Sequence, residues 1–299
     1  MPTLKELSIM YAKKQPKMVD SITEEAPILD IIPFAEASHG LWNMYEEVES
    51  VTGAAFGDMD AALTTLNVTS ELKKFDLSVM GGEMECGEDK AKMYGGKEKY
   101  FADRMGPVLK KSGMTSEVAI LYDCLRQYCI DNSLLIDAAG TEDTCYTILA
   151  VRFEEGVTYG YYSPEGFKQG AMLHTLPING GNVYKNSSGI LVYGIRLKGY
   201  FGIQIASTYT VHAIVNIYSG KIPTEAQLDD LIANVRGTPA NTFLFMHPKC
   251  KNLINGYKEE KVFMSVRDKD LNTLYDAYQS IPIVPSYNFL NGTEEAISV

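Results

Sequence analysis

The chain has 299 residues, of which 45% are hydrophobic and 22% charged, the mix of an ordinary globular protein with room for one elaborated or two interleaved domains. A formal net charge of −11 argues against a surface built broadly to grip phosphates, which needs a basic stripe. No apolar run approaches the ~18 residues of a membrane span, and the start MPTLKELSIM lacks the apolar centre of a signal peptide. The five cysteines, Cys86, Cys124, Cys129, Cys145 and Cys250, include no CxxC pair and are expected as reduced thiols made in a cytosol.

Residues 1–25 carry Pro2 and Pro16 with little apolar periodicity, and are expected as an arm whose Lys5, Lys13, Lys14 and Lys17 are solvated. Pro27 and Pro33 bracket Ile28, Leu29, Ile31 and Ile32. Proline disfavours helix in the residue before it, so 26–34 is predicted to be extended, its apolar side chains covering either the chain's own core or a neighbouring subunit. Two strand-like runs follow. In 41–48 Trp42, Met44 and Val48 share a face; in 68–80 Phe75, Leu77 and Val79 alternate with Lys74, Asp76 and Ser78, the period of a half-buried strand. The small-residue loop 49–67 between them is long for a compact domain, and is easier to explain if another chain orders it.

Gly81, Gly82 and Gly87 are expected to break the strand pattern. Residues 97–111 read as a helix with Phe101, Met105 and Val108 on one face; Pro107 should kink or end it, and Gly113 should cap it. A second helix is predicted over 116–131, with Val118, Leu121, Tyr122, Leu125, Tyr128 and Cys129 forming its apolar face. From Cys145 the texture turns to strands, at 145–153, 190–197, 202–206 and 209–217, with long Gly- and Tyr-rich loops over 154–189. A helix over 223–236 has Thr224 and Gln227 at capping-box spacing. A buried strand at 241–246 and a short helix at 248–256, with Pro248 at its first position, come next. Strands at 262–265 and 281–285 and a tail at 289–299 close the chain.

The search for chemistry finds little. His39, His174, His212 and His247 lack ligand spacing; His212 reads as a core histidine and His247 as a helix cap. There is no GxSxG and no phosphate loop. Adjacent acids such as Glu46/Glu47, Asp229/Asp230 and Glu294/Glu295 diverge on a helix or strand and read as solvated faces. A thiol nucleophile at Cys250 served by His247 is the one enzymatic arrangement left open. No catalytic, metal or cofactor residue is assigned.

The order of arm, long hairpin, long helix, second helix and then a β-rich domain with two helices and closing strands resembles the tailed-phage major capsid proteins of the Hong Kong 97 fold. APILDIIPF with 41–45 is similar to the clamp that leads into that family's extended loop. VRFEEGVTYGYYSPEGF (151–167) resembles a Gly-rich insertion of the axial domain, and 193–217, ending in HAIVNI, resembles the strand pair after it. Residues 223–236 with TFLFMHPKCKNLI are similar to the axial helix–strand–helix, and SIPIVPSYNF with Glu294 to the closing strands.

The resemblance implies an α+β fold with an N-terminal arm (1–40), an extended β-hairpin loop (41–87), a peripheral domain (88–134) with a spine helix within 88–112, an axial domain (135–280) and closing strands (281–299). It implies a subunit that self-assembles into hexamers and pentamers of an icosahedral head shell. The implied partners are a separate scaffolding protein, a portal protein and non-specifically held double-stranded DNA, with no membrane. The implied location is the virion, after synthesis in the host cytoplasm. Subunit contacts are expected at Ile28, Leu29, Ile32, Phe34, Trp42, Phe56, Lys73 and Lys74; nothing in the sequence identifies a crosslinking partner for either lysine. Three rivals remain: an encapsulin-like cage around cargo enzymes, a cytosolic enzyme with a site built from distant residues, and a different virion protein such as a tail or decoration subunit.

Overall fold

A computed structural model describes residues 25–56, 64–163, 173–254, 265–267 and 274–298. The expected arm with its four lysines therefore lies outside the described residues, as do 57–63 of the hairpin loop, 164–167 of the Gly-rich insertion, 255–256 of the short helix and 262–264 of a predicted strand.

Two prolines do not make the lead-in extended. The Ile31 and Ile32 amides both bond the Ile28 carbonyl, at 3.1 Å each, and Leu29 bonds Ala26, so the segment closes as a helical turn. Proline is compatible with a first helical turn, where its missing donor has no partner to lose. Ile28 (0% exposed) and Ile32 (4%) are thereby buried in the chain's own core, one of the two surfaces that the sequence left open for this segment. Only β1 (Phe34–Glu36) is extended.

The second predicted strand is two strands. β2 (Trp42–Thr52) pairs with β3 (Asn67–Asp76) as a separate two-stranded sheet. The chain then turns at Leu77 into β4 (Ser78–Gly87), which joins the main body. Gly81 and Gly82, expected as breakers, lie inside β4. A Cβ on Gly81 would sit 2.7 Å from the Leu197 carbonyl oxygen, so glycine is there for close backbone approach and not to end the strand.

After α1 (Glu88–Met93), α2 (Lys97–Ala119) passes straight through Pro107 and Gly113 into a π-helical stretch, Ile120–Arg126, and a last α-turn, Gln127–Asp131. The two predicted helices are one. Pro107 has no N–H for the Asp103 carbonyl, but Phe101, Ser116, Glu117, Leu121 and Leu125 are buried on either side of it, and tertiary packing outweighs a local propensity penalty.

A six-stranded sheet runs β1–β7–β10–β4, with β8 (Leu173–Pro177) and β9 (Tyr184–Lys185) also on β10. Here β7 is Thr158–Tyr162, within the region expected as loops, and β10 is Leu191–Ile205, one strand where two were predicted. Strand β1 pairs in parallel with β7, and the Phe34 ring fills the place of a Gly160 side chain: a Cβ there would lie 2.4 Å from the ring. A seven-stranded sheet has the order β13 (Ser265–Arg267), β14 (Leu274–Tyr278), β15 (Ile281–Pro285), β12 (Thr242–Met246), β6 (Tyr146–Arg152), β11 (Val211–Ile217), β5 (Leu135–Asp137). The tail adds a single bridge, Cys145 to Glu294.

The seven-stranded sheet is covered on both faces, which explains its unbroken apolar runs. On β6, Leu149 and Val151 face the C-terminal half of the long helix with Ile28 and Ile32. Ile148 and Ala150 face α3 (Glu225–Asn234) and α4 (Pro248–Ile254). The capping box at Thr224 and Gln227 forms as its spacing predicts. The N-terminal half of the long helix instead packs Tyr100 and Phe101 against Cys86 of β4. One helix thus ties both sheets together.

Candidate assembly surface

The hairpin β2–β3 stands apart. Its outer part carries no fully buried residue, and neither strand pairs with a third among the described residues. Opposed residues of an antiparallel pair share a face, so Met44/Lys74, Glu46/Leu72 and Val48/Ser70 lie on one side, and Tyr45/Lys73 and Glu47/Glu71 on the other. A β-bulge between Val48 and Ser50 then shifts the register by one. Without it Val51 would point away from Val48; with it, the Val51/Val68 pair returns to the Met44 side. The result is one apolar face of Met44, Val48, Val51, Val68 and Leu72, each 42–68% exposed.

The opposite face looks at the body. Tyr45, Glu47 and Lys73 line a cleft of about 720 Å³ with Tyr128, Arg152 and Glu154. Lys73 pairs with Glu47 at 2.5 Å. Lys74, on the outer face, pairs with Asp76 at 2.6 Å and lies 5.5 Å from the centre of the Trp42 ring. Trp42 is half-buried and stacks on His39, ring centres 3.6 Å apart. Phe56, beyond the end of β2, is fully exposed. Leu29 and Phe34 are half-buried against the core. Of the residues expected at a subunit contact, the structure therefore gathers Trp42, Lys73 and Lys74 on the hairpin, leaves Phe56 near its tip, and keeps Leu29 and Phe34 at the edge of the body. Val51, Val68 and Leu72 were missed; Val68 and Leu72 alternate along β3 with Lys74, but the parity of Val51 depends on the bulge, and no turn residue signals it.

The root of the hairpin is fixed by polar and apolar contacts. The Asn43 side-chain amide donates to Gln204 Oε1 at 2.8 Å, and its Oδ1 accepts from the Ser38 amide at 3.0 Å. Ala37, Leu77 and Tyr161 form a small buried cluster with Phe75 beside it.

Two buried carboxylates hold the chain ends to the long helix. Glu117 Oε2 accepts from the Ile28 and Leu29 amides at 3.0 and 3.4 Å; its Oε1 accepts from the Ser286 hydroxyl and from Asn288 Nδ2 at 3.0 Å. Glu294 accepts from the Thr147 hydroxyl and from Tyr122 at 2.6 Å, with the Arg126 guanidinium at 3.6 Å. Burial pushes both carboxyls above the usual range, against the pull of those hydrogen bonds. Glu294 is 4% exposed, which corrects its reading as a solvated face; Glu295 next to it is exposed.

The enzymatic arrangement left open by the sequence is not poised for nucleophilic attack. Cys250 is fully buried and burial raises its thiol pKa, which disfavours the thiolate. His247 Nδ1 accepts the Lys249 amide at 3.0 Å, a helix-capping role. His212 has its Nδ1 unpaired among the described residues, so it is not the fully satisfied core histidine expected. Among the described residues no helix is long and apolar enough to cross a membrane, and no group of three acidic, Cys or His side chains is placed to hold a metal.

No family model matches the chain, and no curated protein matches it. Solved structures do. A structure of bacteriophage Epsilon15 is similar over 99% of this chain and 98% of that one, at 10% identity and a TM-score of 0.61. The capsid of bacteriophage JBD30, decorated with minor capsid protein trimers, is similar over 96% and 99%, at 8% identity and 0.57. The holo-SrpI encapsulin complex of Synechococcus elongatus PCC 7942 is similar over 72% and 96%, at 10% identity and 0.51. The chain has the α+β, Hong Kong 97-like fold of phage major capsid proteins.

Proposed function

We propose that the chain is a major capsid protein, which self-assembles into hexamers and pentamers and closes as an icosahedral head shell around packaged DNA. The observation that carries this reading is the hairpin's outer face, whose apolar side chains no described part of the chain covers. An isolated two-stranded hairpin is marginal in water. Burying Met44, Val48, Val51, Val68 and Leu72 against a neighbour would contribute roughly 1.5–3 kcal/mol for each side chain fully covered, enough to offset the ordering of a projecting ribbon. The fold, matched along nearly the whole chain to phage capsid structures, supports the same reading.

In this reading residues 1–40 are the arm, the hairpin is the extended loop, and the helix over 97–131 is the spine helix of the peripheral domain. The seven-stranded sheet with α3 and α4 is the axial domain. A separate scaffolding protein, a portal protein and non-specifically held double-stranded DNA complete the partners, and the mature location is the virion after synthesis in the host cytoplasm. The likeness to an encapsulin favours a second reading, a cage around cargo enzymes, but it covers 72% of this chain against 99% for the Epsilon15 structure.

Negative-stain microscopy of the protein alone and with a co-expressed scaffold candidate tests the proposal. Closed shells, or capsomer-sized rings that close when scaffold is added, are expected. A uniform monomer under every condition would sink it, and shells that fill with a host enzyme would favour the cage.

A further inference from the structure

The hairpin leaves the body through a very small attachment. Beyond its root, the inner face borders the 720 Å³ cleft, so the root contacts carry most of its direction. The apolar part of that root is Ala37, Leu77 and Tyr161 with Phe75, whose ring leaves no room for a side chain on Gly202; apolar contacts of this kind are non-directional. The polar part is directional. Asn43 and Gln204 are 5% and 1% exposed and lie 161 residues apart in sequence. Each amide is used at both ends: Asn43 takes the Ser38 amide and donates to Gln204, and Gln204 Nε2 donates to the Gly156 carbonyl at 2.9 Å. A buried chain of directional bonds is satisfied in one geometry and leaves orphaned polar atoms in any other.

We propose that the buried Asn43–Gln204 amide pair is the pin that sets the angle at which the hairpin leaves the subunit, and through it the geometry of the contact with the next copy. The inference rests on the shell-subunit reading above. Leverage makes the pin matter. From Asn43 to Thr52 the strand runs roughly 30 Å at ~3.3 Å per residue, so a swing of about 10° at the root carries the tip about 5 Å. That displacement is larger than a side-chain contact tolerates, and every subunit in a shell would repeat it. Asn43 and Gln204 are thus positioning residues: neither lies on the outer apolar face, and both act on it through the root.

Three variants of the full chain test this: Gln204→Ala, Asn43→Ala, and the double exchange Asn43→Gln with Gln204→Asn, which keeps the amide pair and its total length. Two readouts are needed. The first is amide hydrogen exchange in the unassembled subunit, at Ser38 and Leu77 in the root and at Leu149 and Val151 in the core. In Gln204→Ala the root amides, neither of which touches Gln204, should exchange about tenfold faster, as for the loss of one buried hydrogen bond, while the core amides stay unchanged. The second is shell morphology: both alanine variants should give shells of mixed diameter or open sheets, and the double exchange should restore one size.

Uniform wild-type shells from the alanine variants would overturn the proposal. So would equal acceleration at root and core, because the pair would then hold the fold and not the hairpin's direction. If the wild-type chain forms no shells, the shell reading fails, and the exchange measurement alone still decides whether the pair pins the hairpin.

Discussion

Among the described residues, Glu117 is a buried carboxylate without a cation among its partners. Its charge is held by two backbone amides, a hydroxyl and a side-chain amide, and burial still outweighs them and raises its pKa. Glu294 has Arg126 nearby and is raised for the same reason. The sign of the consequence is opposite to that of a surface salt bridge. A carboxyl whose folded pKa lies above its unfolded value near 4.5 takes up a proton more readily when folded. Its contribution to stability is complete below the unfolded value and is lost as pH rises through the folded one. Urea unfolding as a function of pH should therefore show the wild type gaining stability as pH falls from neutral toward the unfolded value near 4.5, and Glu117→Gln should flatten part of that slope. An identical slope in the variant would mean that the carboxyl titrates normally. Glu117→Ala leaves the Ile28 and Leu29 amides and Asn288 without a partner and should cost about 3 kcal/mol at neutral pH, measurable in the same unfolding experiment.

At the scale of elements, punctuation was misleading wherever packing overrode it. The long helix keeps going through Pro107 and Gly113 because its two halves are each buried against a sheet. Strand β4 keeps going through Gly81 because β10 approaches too closely for a side chain. Both facts depend on tertiary partners that a local window does not see, such as Leu197 opposite Gly81 and Ile28 against the helix. What was legible is what periodicity alone decides: the hairpin's first strand, the apolar face around Leu121 and Leu125, the capping box at Thr224, the buried run of β12. The candidate surface was half legible. Trp42, Met44 and Val48 share a face by simple alternation, as Val68 and Leu72 do on β3, but Val51 joins them only through the bulge, and the burial of Ile28 and Ile32 follows from a helical turn that the prolines argued against. One element-scale test separates the two halves of the helix argument. Pro107→Ala restores a donor for the Asp103 carbonyl and should stabilise the isolated subunit by up to about 3 kcal/mol; a lower melting temperature would show instead that the core is packed around the proline's own geometry.

For the whole molecule the question is why a subunit with two well-covered sheets should keep an uncovered ribbon. Met44, Val48, Val51, Val68 and Leu72 contribute nothing to the folded monomer's core, so selection for monomer stability cannot explain them, and their place on a single face points to a partner surface. That face projects from the body, whereas the body has no equivalent ribbon to meet it among the described residues. If, as proposed, it meets the body of the next copy, the contact is between unlike surfaces, head to tail, and such contacts generate rings when the rotation closes. The double substitution Val51→Lys and Leu72→Lys isolates this role. Both positions are more than 60% exposed, so the monomer's unfolding free energy should change by no more than about 0.5 kcal/mol. Each contact in the assembly, however, should lose on the order of 3 kcal/mol of apolar burial, roughly a hundredfold in affinity. Sedimentation velocity should then find folded, unassembled subunits at concentrations where the wild type forms rings or shells. Assembly at wild-type concentrations by this variant would show that the hairpin's apolar face is not the surface that joins the subunits.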